Sequence, residues 1–311
     1  MKKIVITGAA GLVGLNLLDS LKDSNNEIIA IDKSQKNLNL AKKINPKIKT
    51  INLDLSRGMV PTEILRNTDL IIQLQAQISS PEKEPYERNN IDSIKNIVEI
   101  CEENNIPLIH MSSSVVNSVA KDLYTETKTI GENVVKNSKC QYTILRPALM
   151  YGCFDVKHLD FIIKSLDNQI IFPMPGSGKY IRQPLFVKDL VNIILKLIEL
   201  KPENKTFNLI GKERIYFINL LKIIRKQKNK KTIFINLPLP IFSFLFNFYN
   251  FLNGKKPYVP EQLSALTAGD IFPLEDWESE FNVKYTPFKE GIRKMLKSPY
   301  YNHTKLMEKI E

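Results

Sequence analysis

A tyrosine and a lysine that could act together in proton transfer stand four residues apart, at Tyr124 and Lys128, in a segment that favours helix. At this spacing the two side chains lie on one face of a helix. A free tyrosine, with a pKa of about 10, is a poor base at neutral pH. A neighbouring ammonium group stabilises the phenolate and lowers that pKa. The pair could therefore move a proton to or from a substrate hydroxyl, with a serine hydroxyl holding the same oxygen.

The spacing alone does not identify the reactive pair, because Tyr-x-x-x-Lys occurs three times, starting at Tyr124, Tyr285 and Tyr301. Pro287 disfavours a continuous helix after Tyr285, and Tyr301 lies in a polar tail. Only Tyr124 comes soon after an apolar strand that ends in the serines of residues 112–114. We therefore predict that Tyr124 and its lysine form the reactive pair. The alternative is an exposed pair on a helix surface.

The N-terminal segment has the pattern of a phosphate-binding turn. An apolar, β-branched run at residues 3–7 predicts a buried strand, and Gly8, Gly11 and Gly14 follow it as a helical pattern begins. The first glycine permits a tight turn, the second lets the backbone approach a pyrophosphate, and the third lets the helix pack against the strand. The helix N-terminus then attracts the anion. These features predict a dinucleotide site.

An acidic residue follows the second predicted strand and indicates which dinucleotide binds. The run at residues 27–31 ends at Asp32, whose carboxylate can accept hydrogen bonds from the adenosine ribose and would repel a 2′-phosphate. Lys33 comes next and could soften that repulsion. The sequence therefore favours NAD over NADP as the cofactor.

Composition excludes several other classes of protein. The chain has 311 residues, is 43% hydrophobic and carries a net charge of +11, but its lysines are scattered. The densest basic run, residues 226–231, has no aromatic residues for base stacking, so we expect no nucleic-acid partner. No apolar run is long enough to span a membrane, and we expect no signal peptide. The three cysteines lack metal-binding spacing, which favours a reducing, cytoplasmic location and no metal site.

Predicted strands and helices alternate through the first two hundred residues, which indicates an α/β fold with a doubly wound parallel sheet. Ligands of such sheets bind at the carboxyl ends of the strands. We assign residues 1–200 to the nucleotide-binding domain, with 151–182 contributing to the substrate site. Residues 201–311 are predicted to form a smaller, mainly helical substrate domain.

Taken together, the motifs resemble the extended short-chain dehydrogenase/reductase superfamily, in its NAD-dependent epimerase/dehydratase group, which implies a Rossmann-like fold. The resemblance covers the first 200 residues well and the C-terminal third only through PFKEGIRKML. The motifs that carry it are TGAAGLVG (7–14), Asp32, Asp54, QLQA (73–76), Asn90, HMSSSVV (110–116), YTETK (124–128), RPALMYG (146–152) and PGSGKYIRQPLFVKD (175–189).

The resemblance implies positions for the cofactor. Asp54 and Leu55 would flank the adenine, residues 74–76 would line the middle of the cofactor, and Pro147 would touch the nicotinamide end. The cofactor-binding positions predicted in full are Gly8, Ala10, Gly11, Leu12, Val13, Gly14, Asp32, Lys33, Asp54, Leu55, Leu74, Gln75, Ala76, Asn90, Met111, Tyr124, Lys128 and Pro147.

The resemblance also implies a catalytic serine and a substrate-binding arginine. The family places a serine or threonine three residues before the valine of a Val-Tyr-Gly-like end, here residues 116–118, so Ser113 is predicted and Ser114 is the alternative. Arg182 falls where sugar-nucleotide members place an arginine on the substrate diphosphate, and its forked guanidinium suits a phosphate. A surface arginine is the alternative for Arg182.

Departures from the family narrow the chemistry. Gln75 stands where most members have alanine, and the stretch between Ser114 and Tyr124 is shorter than usual. Ser114 and Val115 stand where dehydratases and decarboxylases carry acidic residues, so dehydration and decarboxylation are disfavoured. We expect an NAD-dependent epimerase or oxidoreductase that acts on a nucleoside-diphosphate sugar through a keto intermediate, in making surface polysaccharide or a related glycoconjugate.

Alternative functions and interactions remain open at this stage. The aromatic segment 237–254 suggests a hydrophobic substrate, such as a sterol or a lipid-linked group, although we expect a core or substrate-roof helix there, with weak membrane contact as the second possibility. A non-catalytic nucleotide-binding subunit is a further alternative. Related enzymes often dimerise through helices corresponding to 90–104 and 121–136, so we expect a homodimer.

Overall fold

A seven-stranded parallel sheet forms the centre of the computed structural model. The structure describes residues 1–58, 60–119, 122–155, 159–200, 202–252, 267 and 269–301. The first six strands of the sheet are β1 (Lys3–Thr7), β2 (Glu27–Asp32), β3 (Lys49–Asn52), β4 (Leu70–Gln73), β5 (Leu108–Met111) and β6 (Tyr142–Pro147).

The strand order places a crevice beside the glycine turn. The order is β6-β5-β4-β1-β2-β3, so β1 lies between β2 and β4, with Thr7 opposite both Ile31 and Gln73. The direction of winding reverses between β1 and β4, and ligands of open α/β sheets bind at such a reversal. The residues that follow β1, β2, β4 and β5 therefore lie at one edge of the sheet.

Helices cover both faces of this sheet. On β1, Ile4 and Ile6 face one core cluster and Val5 faces the other, which confirms the doubly wound, Rossmann-like fold. The helices of the first two hundred residues are α1 (Leu12–Ser20), α2 (Gln35–Ile44), α3 (Thr62–Leu65), α4 (Glu84–Glu87), α5 (Ser93–Asn104), α6 (Leu123–Lys136), α7 (Leu159–Asn168) and α8 (Val187–Glu199).

A π-helical turn interrupts the helix expected at 90–104. The segment Arg88–Asp92 is π-helical and runs directly into α5. Gly131 of α6 packs against it so closely that a Cβ there would overlap the carbonyl oxygen of Asn90. The helix expected at 121–136 begins at Leu123, and residue 121 lies outside the described residues.

The C-terminal part of the chain contributes to the central sheet as well as forming its own elements. A strand beyond the predicted boundary at residue 200, at Lys205–Leu209, pairs in parallel with β6 and becomes the seventh strand. The remaining elements are β7 (Met150–Tyr151), β8 (Ile171–Pro175), β9 (Ile181–Arg182), β10 (Leu185–Phe186), β11 (Lys205–Leu209), β12 (Ile215–Tyr216), α9 (Phe217–Gln227), β13 (Ile233–Leu237), α10 (Leu239–Leu252), α11 (Trp277–Phe281) and α12 (Phe288–Lys297).

The prediction of a core helix in the aromatic segment 237–254 is wrong for the residues that the structure describes. Helix α10 contacts β8 on one side, whereas Phe244 and Phe248 on the other side are exposed. The amino-acid pattern gave the hydrophobicity of the helix correctly. It could not show that nothing in the described part of the chain covers its outer side. Residues 253–254 lie outside the described residues.

The structure also describes the state of the cysteines and the lengths of the apolar helices. Cys101, Cys140 and Cys153 are all buried and free. In the described ranges, no helix is both long and apolar enough to cross a membrane.

Candidate active site

The glycine turn between β1 and α1 brings two strand ends together. Gly8 adopts a positive φ of 65°, and a Cβ there would overlap the backbone of Gln75 after β4. A Cβ at Gly14 would overlap Ala9, so this glycine lets α1 pack directly on the turn. Both glycines are thus required by contacts within the protein itself.

Gly11 is different, because the protein leaves space beside it. A Cβ at Gly11 would lie 3.4 Å from the carbonyl oxygen of Gly8, an ordinary contact, and the backbone there is extended. Gly11 is also the N-cap of α1, and no side chain in the described part of the chain caps that helix. The free N–H groups of the first turn can therefore receive a phosphate, and the turn fits the pyrophosphate of a dinucleotide.

Substitutions at these glycines should separate binding from folding. We expect Gly11→Ala to leave the melting temperature nearly unchanged and to weaken NAD⁺ binding by about tenfold or more, because the methyl group enters the pyrophosphate cradle. Gly14→Ala should instead lower the melting temperature through its overlap with Ala9. Calorimetric NAD⁺ titration and thermal unfolding of both variants test this. Equal NAD⁺ affinity in Gly11→Ala and the wild type would place the cofactor elsewhere.

Asp32 holds the glycine turn and is available to a ribose. One carboxylate oxygen accepts the N–H of Ala10 at 3.1 Å and the other accepts the N–H of Ser34 at 2.9 Å. Each oxygen keeps a further lone pair for a ribose hydroxyl. The adjacent Lys33 donates to Asn89 at 3.0 Å, at the surface.

Removing the charge of Asp32 should change cofactor selection. We expect Asp32→Asn to weaken NAD⁺ binding several-fold and to narrow the preference over NADP⁺, because the repulsion of a 2′-phosphate is lost. Asp23→Asn, in an exposed loop, is the control for the same change of charge. Fluorescence titration with both cofactors measures the effect. Tighter binding of NADP⁺ than NAD⁺ by the wild type would contradict the assignment of Asp32.

The predicted adenine end lies beyond β3. Asp54 accepts hydrogen bonds from both the N–H and the hydroxyl of Ser56, and it lies 3.8 Å from Arg88. Burial alone would raise the pKa of Asp54, but the bonds from Ser56 outweigh it and the pKa is lowered. Leu55 is buried in the core beside Asp54, and it stays a predicted cofactor contact.

The loop after β4 is held from within the protein. Gln75 accepts a hydrogen bond from the Thr7 hydroxyl and contacts Ser93 at 3.4 Å, while Leu74 and Ala76 on either side are half-buried. The glutamine that departs from the family pattern thus links β1 to α5. Leu74 and Ala76 stay predicted cofactor contacts.

Asn90 is placed as a clamp rather than as an open ligand. Its side chain is fully buried, receives the N–H of Gln77 at 2.8 Å, and donates to the Gln77 carbonyl and to Thr127. These bonds join the loop after β4 to α6. A contact between Asn90 and the cofactor remains a prediction, and the observed bonds show how the residue positions neighbouring groups.

The serines after β5 face different partners. The Ser113 hydroxyl lies close enough to the Tyr124 hydroxyl to favour its phenolate form, and it accepts the N–H of Val115 at 3.4 Å. Ser112 donates to Glu132 at 2.6 Å, and Ser114 is buried in the 3₁₀ turn Ser114–Asn117. Of the two serines left open by the sequence, the structure brings Ser113 to Tyr124.

Burial controls the proton affinity of Tyr124. Desolvation raises the pKa of Tyr124 to about 12, and the neighbouring Ser113 hydroxyl only partly opposes this. The lowered pKa expected from Lys128 and a bound nicotinamide cation together is therefore not reached in the protein without the cofactor. A phenol in this state is protonated at neutral pH, so a further positive charge is needed before it can serve as a base.

Lys128 is buried beneath the same site, with 1% of its surface exposed. Its ammonium group donates to the carbonyl oxygen of Met111 at 2.7 Å, which ties α6 to the end of β5. Burial lowers the pKa of Lys128 to about 8, against the opposing effect of Glu132. Pro147, at the end of β6, is buried at the same edge of the sheet.

The sequence analysis did not predict the network of charged residues that lies on the same face of α6. Glu132 is buried and accepts bonds from Arg146, Lys136 and Ser112. Burial would raise the pKa of Glu132, but these three donors outweigh it and lower the pKa to about 2. The repeated four-residue spacing from Tyr124 to Lys136 could have revealed this stripe.

His110 of β5 lies near this network and is fully buried. Neither ring nitrogen has a hydrogen-bond partner among the described residues. Burial lowers the pKa of His110, and the ammonium of Lys128 lowers it further, so the ring is neutral.

The predicted substrate arginine lies near residues 270–272, in the C-terminal part of the chain. The Arg182 guanidinium lies 4.9 Å from the centre of the Tyr180 ring, and burial lowers its pKa although Tyr180 and Asp270 oppose the shift. Asp270 accepts the hydroxyl of Ser118 at 2.5 Å, and Ser118 ends the loop of the candidate catalytic serine. The neighbouring Gln183 exchanges two hydrogen bonds with the backbone of Phe272. Residue 270, which no sequence motif marked, thus joins the arginine to the serine loop.

The fold and this site define a dinucleotide-dependent enzyme of the extended short-chain dehydrogenase/reductase type. The sequence profile of the NAD dependent epimerase/dehydratase family matches residues 4–209. The chain belongs to this family, and its cofactor is NAD. The predictions of fold, cofactor and an NAD-dependent enzyme are thereby confirmed.

Individual relatives are similar over most of the chain. A putative UDP-glucose 4-epimerase of Methanocaldococcus jannaschii is 28% identical over 236 residues, covering 64% of this chain and 74% of that protein. An uncharacterized UDP-glucose epimerase, YtcB, of Bacillus subtilis is 26% identical over 269 residues, covering 74% and 83%. The structure of UDP-glucuronic acid 4-epimerase from Bacillus cereus in complex with NAD is 19% identical, with a TM-score of 0.72 and coverage of 98% and 99%. That structural likeness shows the shared fold.

Proposed function

We propose that this protein is an NAD-dependent epimerase or oxidoreductase of a nucleoside-diphosphate sugar and that it works through a keto intermediate. One observation carries the proposal. The Ser113 hydroxyl lies beside that of Tyr124, and the buried ammonium of Lys128 belongs to the same face of α6. This arrangement stands at the sheet edge that holds the glycine turn, and a sugar hydroxyl together with the positive charge of an oxidised cofactor would complete it as a proton-transfer site.

In the proposed reaction, Tyr124 removes the proton of the substrate hydroxyl and Ser113 holds the same oxygen by a hydrogen bond. The bound cofactor supplies the chemistry of hydride acceptance and return. Loss of the hydroxyl proton and of a hydride from the same carbon leaves a keto sugar. If the keto sugar turns over before it is reduced again, Tyr124 would return the proton to its oxygen and the product would be the epimer, with no net oxidation or reduction.

Lys128 prepares the tyrosine for this step. A buried ammonium attracts a neighbouring negative charge far more strongly than it would in water. Its bond to the Met111 carbonyl holds it at the end of β5, and the four-residue spacing in α6 puts it on the same helix face as Tyr124. The positive charge of Lys128, together with that of an oxidised cofactor, would lower the tyrosine pKa from the value of about 12 in the protein alone.

Arg182 is proposed to bind the substrate diphosphate. Its guanidinium can make two parallel hydrogen bonds to phosphate oxygens. Support comes from Asp270, whose charge acts on Arg182 and whose carboxylate accepts the hydroxyl of Ser118 in the serine loop. The catalytic roles of Tyr124, Lys128 and Ser113 belong to this proposal in the same way.

A substrate panel tests the proposal directly. The purified protein is incubated with UDP-, GDP- and dTDP-sugars, with and without added NAD⁺, and products are separated by chromatography. An isomer formed without net NADH identifies an epimerase, and stoichiometric NADH identifies a dehydrogenase. Tyr124→Phe is the matched control for contaminating activity. Absence of both products across the panel would overturn the nucleotide-sugar assignment.

A hydrophobic or lipid-linked substrate is the second candidate, and the exposed aromatic side of α10 favours it. The same assay distinguishes the two when sterol and polyprenyl-linked sugar substrates are added in detergent. NADH formation or isomerisation confined to those substrates would favour the second candidate.

A cytoplasmic homodimer remains part of the proposal. Helices α5 and α6 pack side by side. If the pair forms the interface, sedimentation velocity should give the mass of two chains, and Ile130→Glu on the exposed side of α6 should give that of one.

A further inference from the structure

The outer side of α10 is a continuous apolar stripe. Ile241, Phe244, Leu245, Phe248 and Leu252 are 49%, 70%, 48%, 53% and 66% exposed. Their spacing places them on one side of the helix. The rings of Phe244 and Phe248 stack, with centroids 6.4 Å apart. We call these five side chains the apolar face.

The strand before α10 adds further exposed apolar groups. Ile233 and Ile235 of β13 are exposed, and Ile233 is paired with the exposed Ile171 of β8. The preceding Ile170 is also exposed. Soluble monomers rarely expose apolar groups in such concentration unless they serve an interaction.

The positive charge around the apolar face favours an anionic partner. Residues 214–260 contain nine lysines or arginines and no aspartate or glutamate. Within this range, Lys231 is exposed immediately before β13, and Lys222 and Lys226 are exposed on α9. Asp167 of α7 pairs with Lys228 and Lys230 and offsets part of the charge. The apolar face and its neighbouring strand therefore lie in a segment of one sign of charge.

We propose that the apolar face docks on the surface of an anionic lipid bilayer. Aromatic and aliphatic side chains enter the headgroup boundary, and the flanking lysines attract anionic lipids. A second copy of the chain fits less well, because a twofold contact would bring the same lysines together. The 14 residues of α10 span about 21 Å, short of the hydrocarbon core, so the helix lies on the membrane surface.

Cosedimentation with vesicles tests this with the full chain. Vesicles of phosphatidylcholine alone are compared with equimolar phosphatidylcholine and phosphatidylglycerol, at low salt and at about 0.5 M NaCl. We expect partitioning onto the anionic vesicles at low salt, and about tenfold less onto phosphatidylcholine or at high salt. Equal binding to both vesicle types, or no binding at low salt, overturns the proposal.

Variants then locate the contact. Phe244→Ser with Phe248→Ser should reduce partitioning about tenfold, whereas Phe244→Leu with Phe248→Leu should retain most of it. Leu200→Ser with Leu274→Ser, at exposed apolar sites elsewhere, should have no effect. Lys231→Glu should weaken partitioning more than Lys43→Glu, which makes the same change of charge on α2.

Circular dichroism and thermal unfolding establish that each variant is folded. If the serine pair unfolds the protein, the leucine pair, the lysine variants and the dependence on lipid and salt still decide the outcome. Equal loss in the control pair overturns the proposal. A dimer that dissociates in the folded serine pair also overturns it, because it identifies a second copy as the occupant.

Discussion

Tyr124→Phe should lower kcat by about 10²–10⁴-fold while NAD⁺ affinity stays within about threefold. The substitution removes only the hydroxyl, which lies beside Ser113 and is proposed to exchange the substrate proton. The cofactor is held elsewhere, by the glycine turn and Asp32. Turnover on the substrate found in the panel, together with calorimetric NAD⁺ titration, gives both quantities.

Other tyrosines provide matched controls for this result. The Tyr285 hydroxyl bonds Glu213 at 3.2 Å, and α12 begins only at Phe288, so Tyr285 and Lys289 do not share a helix. Tyr285→Phe should therefore retain turnover. Full activity in Tyr124→Phe would contradict the mechanism, and selective loss in Tyr285→Phe would show that the reactive tyrosine lies elsewhere.

Glu132→Ala should lower the free energy of unfolding by about 3–5 kcal/mol, the usual result of breaking a buried charge pair by removing one partner. The Glu132 side chain is only 3% exposed, and the Arg146 guanidinium that bonds it is 15% exposed. The alanine leaves that arginine charge without its carboxylate. Urea unfolding followed by circular dichroism measures the loss.

A double-mutant cycle separates the pair from simple loss of packing. Arg146→Met in the Glu132→Ala background should restore part of the stability, because no unpaired charge then remains. If the two losses are additive, the stabilising effect of Glu132 comes from Lys136 and Ser112 rather than from Arg146.

The pH dependence of this effect has a defined sign. The pKa of Glu132 in the folded protein is about 2, below its ordinary value of 4.5, so the folded state favours the carboxylate. The stabilisation is therefore fully present above the ordinary value and is lost as pH falls toward about 2. The stability difference between wild type and Glu132→Gln should be constant near neutral pH and shrink in acid. A difference that grows below pH 4 would show that the charge is not what stabilises.

Local patterns in the sequence predicted the cofactor-binding turn and the parallel sheet of this protein. The spacing of Gly8, Gly11 and Gly14, and the acid after the second strand, reflect constraints that neighbouring residues impose on a βα turn. Those constraints act over a few residues, so they are visible in the chain itself. Strand alternation likewise predicted the parallel sheet, because a buried parallel strand needs a continuous apolar run.

Contacts between distant segments decided the rest. The sequence left Ser113 and Ser114 open as the catalytic serine. In the structure Ser113 lies beside Tyr124, whereas Ser114 is buried in the 3₁₀ turn. The pairing of Lys205–Leu209 with β6 and the link from Asp270 to Ser118 join residues far apart in the chain. Sequence spacing carries no information about such pairs, because they depend on how completed elements pack.

The sequence by itself determined the nucleotide turn and the sheet, and it selected Tyr124 and Lys128 as the candidate reactive pair. Only the tertiary structure decided how strongly Tyr124 holds its proton, because its pKa depends on burial and on Ser113. The structure also showed that the outer side of α10 is exposed, although the amino-acid composition of the helix is that of a core helix. Hydrophobicity is a property of the residues in a segment, whereas burial depends on whether another part of the chain covers them.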